Sequence, residues 1–260
     1  MAGVIPMLPT PALRPWIADV TLIRPDSALP LVHLPDAATA LVYRRTGARE
    51  GDLRVVGPRS RASCHPGKEL PMCVRVRLHP GAARPVFGVP VSELRDRAVP
   101  LSDLWGDRAT RLAHRLNELT GPGPALRGIE DALLEGAHHG SAARGPRATD
   151  ARDLLLREAV ESLSTTGERV AVLARRLSVS ERRLRHLFTD RVGLSPKHFA
   201  RIQRVRTVLA GAGSAGLAGL ASDTGYYDQS HMTADFRALI GVSPGAFRAG
   251  RLPDTTPCAV

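Results

Sequence analysis

Phe188-Thr-Asp-Arg-Val-Gly-Leu-Ser-Pro-Lys-His-Phe199 returns 48 positions later as Phe236-Arg-Ala-Leu-Ile-Gly-Val-Ser-Pro-Gly-Ala-Phe247. Phe, Gly, Ser, Pro and Phe are identical in the two copies, and Val192/Ile240 and Leu194/Val242 agree in kind. An internal repeat of this kind implies one supersecondary unit built twice. In each copy an apolar segment runs into a Gly, which tolerates the left-handed conformation that closes a helix. A Ser-Pro pair then restarts the chain.

The residues ahead of the first copy define the unit. Thr165-Thr-Gly-Glu168 predicts a capping box before a helix over Arg169–Leu177, with Val170, Leu173, Ala174 and Leu177 on its apolar face. Ser178-Val179-Ser180 is a short break, and Ser180 caps a second helix, Glu181–Arg191. On that helix Leu184, Leu187 and Phe188 point inward, while Glu181, Arg182, Arg185 and His186 point out. Two helices across a short turn, the second with a basic outer face, are the shape that lays a helix in the DNA major groove. The second copy repeats the plan. A helix begins at Leu217, Gly225 ends it, Tyr226 enters the core and Asp228 caps Gln229–Leu239, with Met232 and Phe236 buried. Its outer face is Gln229, Ser230, His231, Thr233 and Ala234. Gln pairs bidentately with adenine, and Ser and Thr bond several bases or phosphate. Between the units, Pro196–Ala210 is a helix of roughly 22 Å. A spacer of that kind could hold two reading helices in successive major grooves, about 34 Å apart.

Charge agrees with this reading. The 260-residue chain carries a formal net charge of +11, which points to a polyanionic partner. Arg169 to Arg206 holds 11 basic and 2 acidic residues, a local net of +9. An exposed helix is ordinarily charged too, but with mixed signs. Phosphate contact by such residues supplies most non-specific DNA affinity. No stretch approaches the roughly 20 apolar residues of a membrane span, and Met1–Trp16 lacks the pattern of a secretory signal. Three cysteines, Cys64, Cys73 and Cys258, cannot close a disulfide framework, so a reducing cytoplasm is expected.

The first part of the chain differs in character. Ala18–Ile23, Ala28–Leu34, Thr39–Tyr43, Leu53–Val56 and Met72–Leu78 read as short strands bounded by Pro, Gly and Asp. Val74-Arg-Val-Arg-Leu78 alternates with period two, as a half-buried strand does. Ser102–Leu119 carries apolar residues at helical spacing, and Ile129–Gly136 is a second short helix. Gly140–Arg147 reads as a linker and Ala148–Ser162 as a helix. The expected fold is therefore α+β. A β-rich, cupin-like N-terminal domain (1–98) is followed by a helical connector and linker (99–147), an all-α C-terminal domain (148–252) and a tail (253–260). Helix-turn-helix units at 169–192 and 217–240 flank the spacer helix at 196–210.

Other signals carry less. Gly211-Ala-Gly-Ser-Ala-Gly216 matches a dinucleotide fingerprint in letters, but it follows a helix in an all-helical region. Cys64, His65, Cys73 and His79 lack metal-ligand spacing. Trp16 and Trp105 read as core anchors. There is no nucleophile elbow, HExxH or P-loop, and the carboxylates are scattered, so no catalytic residue, metal or cofactor is expected.

Here the residues carry a resemblance. Leu173-Ala174, Ser180, Leu184, Leu187-Phe188, Gly193, Ser195-Pro196, Phe199 and Arg204, followed by Leu220-Ala221, Gly225-Tyr226, Asp228-Gln229-Ser230-His231, Phe236, Gly241, Ser243-Pro244 and Phe247, resemble the DNA-binding domain of the AraC/XylS family of bacterial transcriptional regulators. The resemblance spans about residues 150 to 250 and implies seven helices with two helix-turn-helix units. It implies base-facing roles for Arg182, Arg185 and His186 and for Gln229, Ser230, His231, Thr233 and Ala234. Ser180, Arg183, Lys197 and Arg201 join them as DNA contacts, with Arg201 on phosphate. Many members carry a basic residue where this chain has Ala234, and Gly211–Gly219 is glycine-rich for a helix start. Both departures point to a weaker second unit. Val56-Gly-Pro-Arg-Ser60, Val76–Ala83, Phe87-Gly-Val-Pro90 and Val99–Gly106 resemble the β-rich N-terminal domain of a subgroup, either a small-molecule sensor or a dimerising and docking module. The expected partners are double-stranded promoter DNA, with a small-molecule effector, RNA polymerase and a second copy of the chain as further partners, and no membrane. The rival expectation is an enzyme or ligand-binding protein with an auxiliary DNA-binding domain, marked by ionisable side chains converging in an N-terminal pocket.

Overall fold

The computed structural model describes residues 3–24, 29–67, 70–142, 151–211 and 224–255. Strands β1 (Gly3–Met7), β2 (Ile17–Arg24), β4 (Ala40–Arg45), β5 (Gly51–Val56), β7 (Met72–Leu78) and β8 (Ala98–Pro100) form one antiparallel sheet in the order β1-β2-β7-β4-β5-β8. Strands β3 (Leu31–His33) and β6 (Ser63–His65) pair as a separate ribbon. The sheet is two-faced because side chains alternate along each strand. Leu41, Tyr43, Leu53, Val55, Val74, Val76 and Leu78 line the buried face. Arg44, Arg54, Arg75 and Arg77 occupy alternating positions and stay half-buried on the other.

Helices α1 (Ala83–Phe87), α2 (Ser102–Trp105), α3 (Asp107–Glu118) and α4 (Pro122–Ala142) follow. The stretch expected as one helix from Ser102 is two, because Gly106 breaks it at φ 54, ψ −138. The segment expected as a connector is instead part of the first core. Leu112, Leu116, Ile129 and Leu133 pack on the buried sheet face in the same cluster as Leu41 and Val74. Burying that face requires a partner layer, and α3 and α4 supply it. Arg45 fixes the contact, donating to the carbonyls of Leu116, Asn117 and Leu119 at 2.7–3.2 Å and so satisfying the open C-terminal end of α3. The expected linker begins inside α4, and its remainder lies outside the described residues.

The second core is all helical among the described residues: α5 (Ala151–Thr165), α6 (Val170–Arg176), α7 (Glu181–Val192), α8 (Pro196–Gly211), α9 (Gln229–Ile240) and α10 (Pro244–Arg248). The expected helix from Leu217 and the glycine run lie largely outside the described residues. The capping box before α6 does not form. Gly167 turns the chain at φ 63. The Glu168 carboxylate accepts instead from Ser162 on α5 at 2.7 Å and from Arg176 at the end of α6 at 3.1 Å. The two cores touch: Ala37, with Leu34 and Ala62, packs into the helical cluster.

Candidate nucleic-acid interface

The repeat is built as a frame. Phe188 at the end of α7 meets Phe199 edge-on at 5.6 Å, and Phe236 meets Phe247 at 6.0 Å in the same T-shaped way. Gly193 and Gly241 close α7 and α9 in the left-handed conformation at φ 77 and φ 95, where a side chain would be strained. Ser195 and Ser243 then cap the next helices, accepting from the N–H groups of His198 at 3.2 Å and Ala246 at 3.3 Å. The shared letters are thus buried rings, helix stops and caps.

The reading helices begin on caps of the expected kind. Ser180 Oγ accepts from the Arg183 N–H at 3.1 Å, and Asp228 Oδ1 accepts from the His231 N–H at 2.7 Å. Leu184 and Phe188 are buried beneath α7, Leu187 is half-buried, and Arg182, Arg183, Arg185 and His186 are exposed on its far side. Among the described residues none of these three arginines makes an ion pair. Their neighbours differ. Arg191, on the same helix, is buried on Asp153 at 2.9 Å, Arg84 holds Asp190, and Arg176 holds Glu158 and Glu168. Arg84, Arg176 and Arg191 are held by carboxylates, whereas Arg182, Arg183 and Arg185 on the outer face of α7 are left to solvent.

On α9, Gln229, Ser230, His231 and Ala234 are exposed. Thr233, expected outward, is half-buried. The His231 ring stacks edge-on against Tyr226 at 5.3 Å. Burial, with the Asp235 carboxylate nearby, pushes the Tyr226 hydroxyl up to about 12, so it stays protonated. Arg201, expected on phosphate, is paired with a carboxylate of its own chain. Its Nε and Nη2 both lie 2.9 Å from Oδ1 of buried Asp235. Arg204 reaches the same carboxylate at 3.5 Å and covers the Tyr226 ring at 5.0 Å. Asp235 was not singled out in the sequence, yet a carboxylate taken out of water needs such partners, and Arg201 serves as one. Lys197 is exposed at the start of α8. Tyr226 is buried, as its reading as a core residue expects, and the adjacent Tyr227 is 93% exposed in the turn entering α9.

The N-terminal domain meets this frame from behind. The Ala62 N–H donates to the Leu239 carbonyl at 2.7 Å, and a His198 ring nitrogen lies 3.0 Å from the Ser60 carbonyl. Burial and the Arg201 charge pull the His198 imidazole below its ordinary pKa, while the Ser60 contact opposes them. A Cβ on Gly193 would meet Pro58 Cγ and the Val91 carbonyl oxygen at 2.8 Å.

Comparison with known proteins finds two family matches. Residues 173–250 match a family described as a helix-turn-helix domain, and residues 6–100 match a family described as a domain of unknown function. The helix-turn-helix match supports a DNA-binding transcription regulator. Its C-terminal part is a helix-turn-helix domain of the AraC type, joined to an N-terminal domain of that uncharacterised family. Among solved structures, the C-terminal domain of AraT, a response regulator from Geobacillus stearothermophilus, is similar at 19% identity and a TM-score of 0.36, covering 44% of this chain and 96% of its own. ToxT from Vibrio cholerae O395 is similar at 8% identity and a TM-score of 0.42, covering 88% and 95%. Wild-type ToxT of strain SCE256 bound to an unsaturated fatty acid is similar at 10% identity and a TM-score of 0.40, covering 90% and 97%. No curated protein matches the sequence. Among the described residues no helix is long and apolar enough to cross a membrane.

Proposed function

We propose that the protein reads specific promoter sites through α7 and α9 in the major groove, and that a small molecule held by the N-terminal domain controls that binding. The observation that carries the reading is the contrast in arginine use. Arg182, Arg183 and Arg185 are exposed and without ion pairs among the described residues, on a helix whose inner arginine is fully engaged. Free guanidinium forks along a helix suit guanine edges and phosphates. Gln229, Ser230 and His231 supply a second reading face without arginine, with Thr233 at its edge and Lys197 beside the first unit. RNA polymerase contact and self-association belong to the same reading.

The N-terminal cavity does gather ionisable groups, as the enzyme reading requires. Their state suits binding better than catalysis. Burial pushes the Cys73 thiol up to about 11, so it is not a ready nucleophile. Burial, then the charges of Arg59, His65 and Arg75, hold His33 down at about 4, where it is a weak base.

Selection of bound sites from a random DNA pool by the full-length protein tests the reading. A discrete motif with two half-sites is expected, with affinity that falls steeply as salt rises. Equal affinity for all sequences would overturn it.

A further inference from the structure

The sheet face turned away from α3 and α4 is roofed by the β3–β6 ribbon and by the segments around Asp36 and Arg59, which bridge each other. Between floor and roof lies a cavity of about 400 Å³, within the range of small-molecule sites. Arg44, Arg54, Arg59, Arg75, Arg77 and Arg97 line it, interleaved with Ile23, Leu31, Val42, Val56 and Leu70.

Six arginines line the cavity against two lining carboxylates, Asp36 and Asp96, and Asp96 accepts from the Ser60 N–H and hydroxyl. Asp52 holds Arg44 and Arg54. Asp36 takes Arg77 through two contacts of 2.7 Å, and Asp19 takes it at 3.0 Å. Arg75 reaches Asp19 only at 3.8 Å and donates to the Thr21 hydroxyl. Arg59 donates to the Leu34 carbonyl and Arg97 to the Glu93 carbonyl, and neither makes an ion pair among the described residues. Crowding by Arg75, Arg77 and Arg206 adds to burial in lowering the Arg59 pKa, against the pull of Asp36. A guanidinium held under a roof with a carboxylate nearby but none in ion-pair contact is poorly compensated, and its fork matches a carboxylate or phosphate.

We propose that this cavity binds an amphipathic organic anion, a carboxylate or phosphate monoester on an apolar body, with Arg59 and Arg75 on the charged head and Arg97 at the mouth. This rests on the reading that the N-terminal domain controls DNA binding, and it names the ligand class. The same geometry supplies the coupling. Arg206 of α8 lies 3.7 Å from Asp36 Oδ2 and donates to the Pro35 carbonyl at 3.3 Å. An anion that draws Arg59 or Arg77 toward itself therefore changes the field that Arg206 meets on the helix joining the two reading units.

Calorimetric titration of the full-length protein with octanoate, octyl phosphate, octanol and octylamine tests the ligand class. At least one acid binds tenfold or more tightly than octanol, and octylamine does not bind. The tighter acid tells a carboxylate source from a phosphate source. Arg59→Gln cuts acid affinity about tenfold. Arg97→Gln, on an exposed side chain, lowers it less and keeps the test valid if the first variant misfolds. Octanol binding as tightly as both acids, or acid affinity untouched in both variants, overturns the proposal. Inorganic phosphate binding as tightly as octyl phosphate overturns its amphipathic part.

DNA affinity at the selected site is read in parallel. An acid shifts it about fivefold or more in the wild type and leaves it unshifted in Arg206→Gln, which still binds the acid. A neutral or cationic probe that alone shifts DNA affinity sinks this proposal while sparing ligand control. An acid that binds as described yet leaves DNA affinity alone overturns the coupling and ligand control by this class, with the binding site standing.

Discussion

In the first copy of the repeat Phe188 meets Phe199 at 5.6 Å, and in the second Phe236 meets Phe247 at 6.0 Å, both edge-on. On the outside the copies part company. The α7 face carries Arg182, Arg183, Arg185 and His186, while α9 offers Gln229, Ser230 and His231. Their surroundings differ too. The N-terminal domain presses on the end of α7 at Gly193, whereas Gly241 faces Pro253 of the chain that follows. Duplication keeps what packing demands, and charge and docking are free to diverge. One copy therefore carries most of the exposed positive charge, and it is the one whose helix-stop glycine packs against the N-terminal domain, which meets the other copy at the Leu239 carbonyl.

The inner likeness breaks first under deletion of the rings. Phe188→Ala and Phe236→Ala should each cost about 3–5 kcal/mol, as large-to-small changes at fully buried aromatic sites do. Denaturant midpoints measure it. A loss under about 1 kcal/mol at one site alone would mean that the copies do not share a frame.

The helix stops should separate the copies next. Gly193→Ala adds a strained left-handed residue to a clash with Pro58 and Val91 at 2.8 Å, a total of about 2–4 kcal/mol. Gly241→Ala meets Pro253 Cβ only at 3.4 Å and should cost about 1 kcal/mol. Equal costs by thermal unfolding would remove the N-terminal contact from the comparison.

How far the letters foretold this follows from what each rule can see. Caps and stops are local, so Ser180, Asp228, Gly193 and Gly241 were legible from spacing. Strand alternation was legible at Val74–Leu78, but period two states that Arg75 and Arg77 share a face, not what roofs it. The cavity needed β3 and β6, and Ser63–His65 is too short to announce itself. The helices after Ser102 were found, but their allegiance to the sheet was not, since amphipathicity names a face without naming its partner. The carboxylate partner of Arg201 was not legible for a related reason. Its partner Asp235 lies one helix away, and a charge on a helix is not marked as bound or free. The β1 strand and the break at Gly106 were missed outright, the first at an end of the chain and the second a single-residue turn.

The outer faces should diverge in DNA binding. Arg185→Ala should lose about 1–3 kcal/mol at the preferred base and relax preference there. Gln229→Ala should lose less. Removing Arg182, Arg183 and Arg185 together should lower the log–log salt slope by about 0.9 for each phosphate no longer neutralised, while Gln229→Ala leaves that slope alone. If Arg185→Ala kept the base preference unchanged, α7 would not be the reading helix of the first unit.

The smallest effects come from the caps, where likeness and difference meet on one residue. Ser180→Ala and Asp228→Ala should each cost about 1 kcal/mol by losing one side-chain acceptor at a helix start. Ser180 also stands at the end of the basic face, so a loss of DNA affinity in Ser180→Ala has two readings. Ser180→Asp separates them. Asp caps as well as Ser and suits the positive end of the helix, so stability should return to within about 0.5 kcal/mol of the wild type. A carboxylate next to DNA phosphates repels, so DNA affinity should fall below that of Ser180→Ala. Thermal unfolding and fluorescence anisotropy on a selected site report the two quantities. Affinity recovering together with stability would make Ser180 a cap and nothing more, the plain counterpart of Asp228, and would confine the divergence between the copies to the side chains from Arg182 onward.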